Sequence, residues 1–199
     1  MKIPYIVLIC LAASAAQAQP GDAMTNADRT ETATLAGGCF WCIEEIFRQQ
    51  PGVRRVTSGY TGGHVDNPTY AQVCSGSTGH AEAIRVEFDP QGISYRSLLD
   101  VFWKAHDPTQ LNRQGADVGT QYRSAVFTHS EAQAAAARES LEAEEASGRH
   151  ARKIVTEIRP APAFWPAENY HQEYYRLNRR APYCQAVIRP KLRKLGLDE

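Results

Sequence analysis

The sequence predicts an α+β fold. One domain is expected, a two-layer sandwich in which a mixed β-sheet is covered by helices, followed by a long irregular C-terminal segment. Three observations carry this. Stretches with period-2 alternation interleave with stretches of helical spacing. Some strands are near enough in sequence to pair as hairpin neighbours, while others are separated by a helix. No internal repeat or change of composition divides the chain, and its 199 residues, 43% hydrophobic and 22% charged, suit a single core.

Taken in order, residues 31–36 read as a strand broken by Gly37-Gly38. A helix of about three turns follows, since Cys42, Ile43, Ile46 and Phe47 fall at helical spacing with Cys39 one turn upstream. Glu44, Glu45 and Arg48 take its opposite, solvent-facing side, and Pro51-Gly52 ends it. Strands are expected at 53–60 and 81–88, with a loop, TGGHVDNPT, after the first. Ser94 caps a helix with core positions Leu98, Leu99, Phe102 and Trp103. Residues 107–120 are irregular and 121–128 form a strand. Ser130 and Gln133 make a capping box for an alanine-rich helix running to Gly148. A last strand at 153–158 and a helix at 167–178 precede the tail that holds Cys184.

Lysine plus arginine and aspartate plus glutamate both number 22, a balance that gives no electrostatic footprint for nucleic acid. At the start, Lys2, a short apolar run and Ala16-Gln17-Ala18 have the order of a secretory signal, too short for a membrane anchor. The organisation expected is a signal peptide at 1–18, a flexible linker at 19–30 and a catalytic domain at 31–199, secreted or periplasmic, with no membrane attachment after cleavage. Of five cysteines, cleavage removes Cys10 and leaves Cys39, Cys42, Cys74 and Cys184. Structural disulfides are the usual reading in an exported chain. Against that, Cys39 and Cys42 form a C-x-x-C at a helix start, and a core of this size needs no staple.

Chemistry concentrates at two positions. Cys39 follows two glycines where a strand gives way to a helix, and unpaired N–H groups at such a terminus lower a thiol pKa from about 8.5. Phe40 and Trp41 follow it, two aromatics suited to wall a small apolar pocket; a buried cysteine beside ordinary core aromatics fits the same residues. Glu82 shares parity with Ile84, Val86 and Phe88, so it faces the core at the end of its strand. There it is either a carboxyl with a raised pKa, able to hold a proton near neutrality, or a solvated strand end. His64, His80, His106 and His171 have no ligand spacing, and no metal or other cofactor is expected.

Gly37-Gly38-Cys39-Phe40-Trp41, Gly59-Tyr60-Thr61-Gly62-Gly63, Asn67-Pro68-Thr69-Tyr70 and Val73-Cys74-Ser75-Gly76 resemble the peptide methionine sulfoxide reductase A family. So do Thr78-Gly79-His80-Ala81-Glu82, His106-Asp107-Pro108-Thr109, Arg113-Gln114-Gly115-Ala116-Asp117 and Gly119-Thr120-Gln121-Tyr122-Arg123-Ser124, in register along nearly the whole chain after the signal. The resemblance implies a peptide-methionine (S)-S-oxide reductase that repairs oxidised proteins. It makes Cys39 the nucleophile, Phe40 and Trp41 the aromatics around the substrate methyl, and Glu82 the acid that protonates the sulfoxide oxygen. Tyr70, Asp117 and Tyr122 become polar groups around that oxygen. Cys39 ends as a sulfenic acid, which a second thiol resets through a disulfide that a thioredoxin-like dithiol reduces.

Cys184, on a Pro-flanked tail with little apolar periodicity, is the expected resolving cysteine. Position 42 is cysteine where the family often has glycine, and the glycine-rich tail with two cysteines is absent, so closure between Cys39 and Cys42 stays open. Packing is the reading preferred for Cys42, because bridging one helical turn would strain it, and Cys74 is read as a buried free thiol. A monomer acting on oxidised methionine-containing proteins is expected. A thioredoxin-like disulfide oxidoreductase and a non-enzymatic exported binding protein are the alternatives. The first leaves Glu82, Tyr70 and Asp117 unused; the second requires that no thiol be reactive.

Overall fold

A computed structural model describes residues 29–197. The expected signal peptide and nearly all of the expected linker lie outside the described residues. The main sheet has six strands: β1 (Glu31–Gly37), β2 (Val53–Thr61), β3 (Ala81–Phe88), β6 (Ser124–Thr128), β7 (Glu157–Pro160) and β8 (Phe164–Pro166). Their spatial order is β7-β6-β1-β3-β2-β8. All neighbours run antiparallel except β6 and β7, so the sheet is mixed, as expected.

Alternation along the strands sorts side chains onto two faces. Leu35, Val56, Ile84, Val86, Phe88 and Val126 join the main core beneath α1 (Phe40–Arg48), α3 (Tyr95–Ala105) and α4 (Glu131–Ala146). Ala36, Ala83, Ala125 and Phe127 form a small second cluster on the other face, packed by Ala161 and Phe164. Ser94 caps α3 by accepting from Ser97 N–H, as its sequence suggests. At α4 the expected box is half made. Ser130 accepts from Gln133 N–H, but the Gln133 amide oxygen takes the N–H of His129, one residue further out.

Four expectations shift. The short helix α2 (Tyr70–Cys74) stands where only a loop and its sequel were expected; Thr69 and Gln72 close a capping box that starts it. Residues 113–118 carry a small hairpin, β4 (Arg113–Gln114) with β5 (Asp117–Val118), and Thr120–Tyr122 is a 3-10 turn, so the strand expected from 121 begins at Ser124. The last expected strand lies later, at β7. The helix expected at 167–178 is broken into a 3-10 turn at Asn169–His171 and the four residues of α5 (Tyr174–Leu177). The break spans Gln172, which is extended, and Glu173, whose φ of 53° is left-handed and cannot continue a helix.

The chain after α4 is long and largely irregular, as expected, until its end. Cys184–Ile188 forms a π-turn that leads into α6 (Arg189–Lys194). Cys184, Ile188 and Leu192 recur every four residues and are fully buried, an apolar stripe too short to register in the sequence. Pro190 has no N–H for the carbonyl four residues back, and Arg189 N–H reaches Cys184 O, five residues back, which widens the turn. The tail is therefore wound and packed, contrary to the expectation of little periodicity.

The largest departure concerns α1. Glu44 and Glu45, expected to face solvent, are 1% and 3% exposed. The segment after β8 packs over that side and supplies their partners. Glu44 accepts from Arg48 at 2.9 Å and from Glu173 N–H at 3.0 Å, and Glu45 pairs with Arg176 at 2.9 Å. Buried carboxylates are tolerated only when satisfied in this way. Replacing Glu44 by leucine should therefore leave Glu173 N–H without an acceptor and weaken the hold on Arg48, at about 1–3 kcal/mol per orphaned group. Urea unfolding measures this; a loss under about 0.5 kcal/mol, the size of an ordinary surface substitution, would contradict the packing described.

Candidate active site

The site forms where β1 ends and α1 starts, against the beginning of β3. Gly38 turns the chain with φ 90°, and a Cβ there would lie 2.6 Å from Gln114 Cβ. A side chain at Gly37 would press on Phe102 and His106 at 3.2 Å. The double glycine lets the irregular segment after α3 close over the helix start.

Cys39 is the N-cap residue of α1, in an extended rather than helical conformation, φ −54° and ψ 124°. Its side chain makes no bond to the helix N–H groups. Phe40 N–H donates instead to Glu82 Oε2, at 3.0 Å. That corrects the expected depressed thiol. The free N–H at the helix start is spent on the carboxyl, and burial pushes the Cys39 thiol well above its ordinary value. Cys39 is 8% exposed, and the neighbouring Cys42 adds to the upward shift that burial gives its thiol. Glu82 is 1% exposed, so the core-facing reading of its strand holds and the solvated-end reading does not. Burial, partly opposed by the Phe40 bond, raises its pKa to about 8.

The other expected residues converge on this corner. Phe40 is fully buried and Trp41 half-buried, with ring centroids 6.3 Å apart. Tyr70 and Tyr122 pack at the rim of the same core, and the charge of Glu82 acts on both phenols, whose pKa values burial raises. Asp117 accepts from Tyr183 at 2.6 Å. Cys184 is fully buried in the cluster that holds Cys39 and Cys42. Cys74, expected buried, is exposed. His80 and His106 are spent on backbone and hydroxyl partners. Among the described residues no group of three or more His, Cys, Asp and Glu side chains is placed to hold a metal.

Three residues that the sequence did not single out build the site. Tyr183 lies edge-on to Trp41 at 5.7 Å, with its hydroxyl 4.0 Å from Cys42 Sγ, so the tail closes over the cysteines. Glu168 accepts from Tyr60 hydroxyl and from Tyr70 N–H, both at 2.8 Å, which fixes the start of α2. His171, 1% exposed, accepts from Trp41 Nε1–H at 3.0 Å and packs on Phe40 and Tyr70. On the other side Trp41 stacks on Tyr174 at 3.7 Å. The sequence signal for Glu168 and His171 was a cluster of polar and aromatic residues at 168–175, without periodicity; Tyr183 lies beyond it.

A sequence model described as peptide methionine sulfoxide reductase matches residues 31–198. The chain belongs to that family. Among its relatives, the peptide methionine sulfoxide reductase MsrA of Deinococcus radiodurans is 55% identical over 177 residues, 89% of this chain and 83% of that protein. Among solved structures, reduced Mxr1 of Saccharomyces cerevisiae is 36% identical, with a TM-score of 0.73 over 78% of this chain and 89% of that one. The same yeast protein in complex with Trx2 is 28% identical, with a TM-score of 0.53 over 73% of this chain and 84% of that one. The chain is thus a methionine sulfoxide reductase, and the thioredoxin-like oxidoreductase and the non-enzymatic binding protein fall away as alternatives.

In this reductase the Trp41–His171 bond needs an unprotonated Nδ1. Burial lowers the His171 pKa, so the bond should persist below the ordinary imidazole value of about 6.5 and break only in stronger acid. The Trp41 indole N–H resonance should stay constant from neutrality down through that value and move at lower pH. A shift centred at or above it would contradict this arrangement.

Proposed function

We propose that this reductase acts on the S epimer of methionine sulfoxide, in proteins and as the free amino acid, with Cys39 as nucleophile and Glu82 as proton donor. One observation carries the assignment: a carboxyl 1% exposed, with a pKa of about 8, is tied to the same helix start as a buried cysteine. Two groups holding protons near neutrality stand together.

Cys39 sulfur attacks the sulfoxide sulfur while Glu82 protonates the sulfoxide oxygen, and the carboxylate so formed takes the thiol proton. The oxygen ends on Cys39 as a sulfenic acid and methionine leaves, with no net proton consumed. Protonating the oxygen from a buried acid avoids an alkoxide-like charge in an apolar site. Phe40 and Trp41 receive the substrate methyl, and Tyr70, Asp117 and Tyr122 surround the oxygen. Asp117 is held by Tyr183 in the closed arrangement, so Tyr183 gives way as substrate enters.

Recycling uses Cys184 as the cysteine whose disulfide faces an external thioredoxin-like dithiol; the yeast protein's complex with Trx2 supports such a partner. Because Cys184 is packed, this step requires the tail to open. The reductase is proposed to be exported through residues 1–18, released without membrane attachment, and to work as a monomer in a secreted or periplasmic setting, where it repairs oxidised proteins.

Cys39→Ser should abolish methionine formation while keeping the fold; retained turnover would sink the assignment. Glu82→Gln should slow the single-turnover step by about 10²–10⁴-fold. Glu82 is protonated below its pKa, so wild-type rate should fall as pH rises through about 8, and this limb should vanish in Glu82→Gln. A wild-type rate in that variant would make Glu82 structural. For export, N-terminal sequencing of the mature protein should begin at Gln19; full-length protein confined to the cytoplasm would overturn it.

A further inference from the structure

Cys42 is the one thiol at the site that the reaction above leaves idle. Its placement is unlike that of a packing residue. Cys39 is extended, so its side chain is not held to the direction of the helical ones, and Cys42 sits three residues on, its N–H bonded to Cys39 O at 3.1 Å. The two thiols are close enough to act on each other: with burial, Cys42 pushes the Cys39 thiol up, while Cys39 draws the Cys42 thiol down. The strain expected of a bridge within one helical turn therefore does not arise, because the pair straddles the helix start. C-x-x-C at a helix start is the spacing at which dithiols exchange readily. Cys42 is 2% exposed and shares its core cluster with Cys184. Its sulfur lies 4.0 Å from the hydroxyl of Tyr183, the residue preceding Cys184.

We propose that Cys42 is the first resolving thiol and relays the oxidation from Cys39 to Cys184. This rests on the sulfoxide chemistry proposed above. The Cys39 sulfenic acid and the Cys42 thiol condense, forming a Cys39–Cys42 disulfide and releasing water. Cys184 thiolate then attacks Cys42 sulfur. The Cys39–Cys42 bond breaks, a Cys42–Cys184 disulfide forms, and Cys39 leaves as thiolate to take the proton that Cys184 gave up. Both electrons lost by Cys39 are restored at the expense of the Cys42–Cys184 pair.

Two further features support the order. The neighbouring Cys39 holds Cys42 below the usual thiol range, which favours it as the first attacking thiolate, whereas burial pushes the Cys184 thiol up and fits it to act second. The widened π-turn at Cys184–Ile188 is a weak point of helical hydrogen bonding at the place where the last exchange must move the chain.

The stoichiometry gives the test. Because the relay returns Cys39 to its thiol, reduced wild type mixed with excess peptide sulfoxide and no reductant should yield two methionines per chain, ending with a Cys42–Cys184 disulfide and a Cys39 sulfenic acid. Cys184→Ser should yield one methionine and a mapped Cys39–Cys42 disulfide. Cys42→Ser should yield one methionine, with a sulfenic acid that persists long enough for dimedone to label Cys39. That first methionine also shows that the variant is folded.

A Cys42→Ser chain forming Cys39–Cys184 at the wild-type rate would overturn the relay, as would a wild type that gives one methionine and a Cys39–Cys184 bridge. If no variant and no wild type makes methionine, the sulfoxide chemistry itself fails. If Cys184→Ser cycles normally with thioredoxin, the terminal role of Cys184 fails while Cys42 keeps its own.

Discussion

The hydrogen bond from Phe40 N–H to Glu82 Oε2 organises this molecule. It joins the backbone of the first residue of α1 to the side chain of the second residue of β3, and so holds the Glu82 carboxyl beside the residue that follows Cys39. A helix start has N–H groups to give and a buried carboxyl needs donors. Each solves the other's problem. Burial raises both groups, and the Phe40 N–H opposes that rise at the carboxyl.

The frame around that bond is rigid on three sides. Glu44 and Glu45 lock α1 to the segment after β8, which in turn holds Trp41 between His171 and Tyr174. Glu168 fixes Tyr70 from the same segment. The fourth side is different. There the cover is Tyr183, held by one short bond to Asp117 and an edge contact with Trp41. In the proposed reaction, substrate access and cysteine chemistry therefore meet at the same tail.

The sheet and its helices were legible because their signals are local. Alternation placed β3 with its true bounds and put Glu82 on the core side, and Ser94 marked the start of α3. The glycine pair before Cys39 marked the site. What stayed hidden depends on contacts far apart in sequence. Glu44 and Glu45 look like solvent residues until a segment some 130 positions later covers them; nothing in the local pattern of α1 announces that cover. Tyr183 and His171 were invisible for the same reason, since their partners lie 66 and 130 residues away. The thiol pKa was misjudged because a helix start offers few N–H groups, and sequence does not say which acceptor takes them.

Both outer strands of the sheet finish in proline: Pro160 closes β7 and Pro166 closes β8, and each strand has four residues or fewer. A proline offers no N–H to an incoming strand, and so short an edge presents few open pairs. For a peptide methionine sulfoxide reductase this matters. Neither edge offers an extended peptide a long backbone ladder to join, which leaves side-chain contacts as the means of holding it.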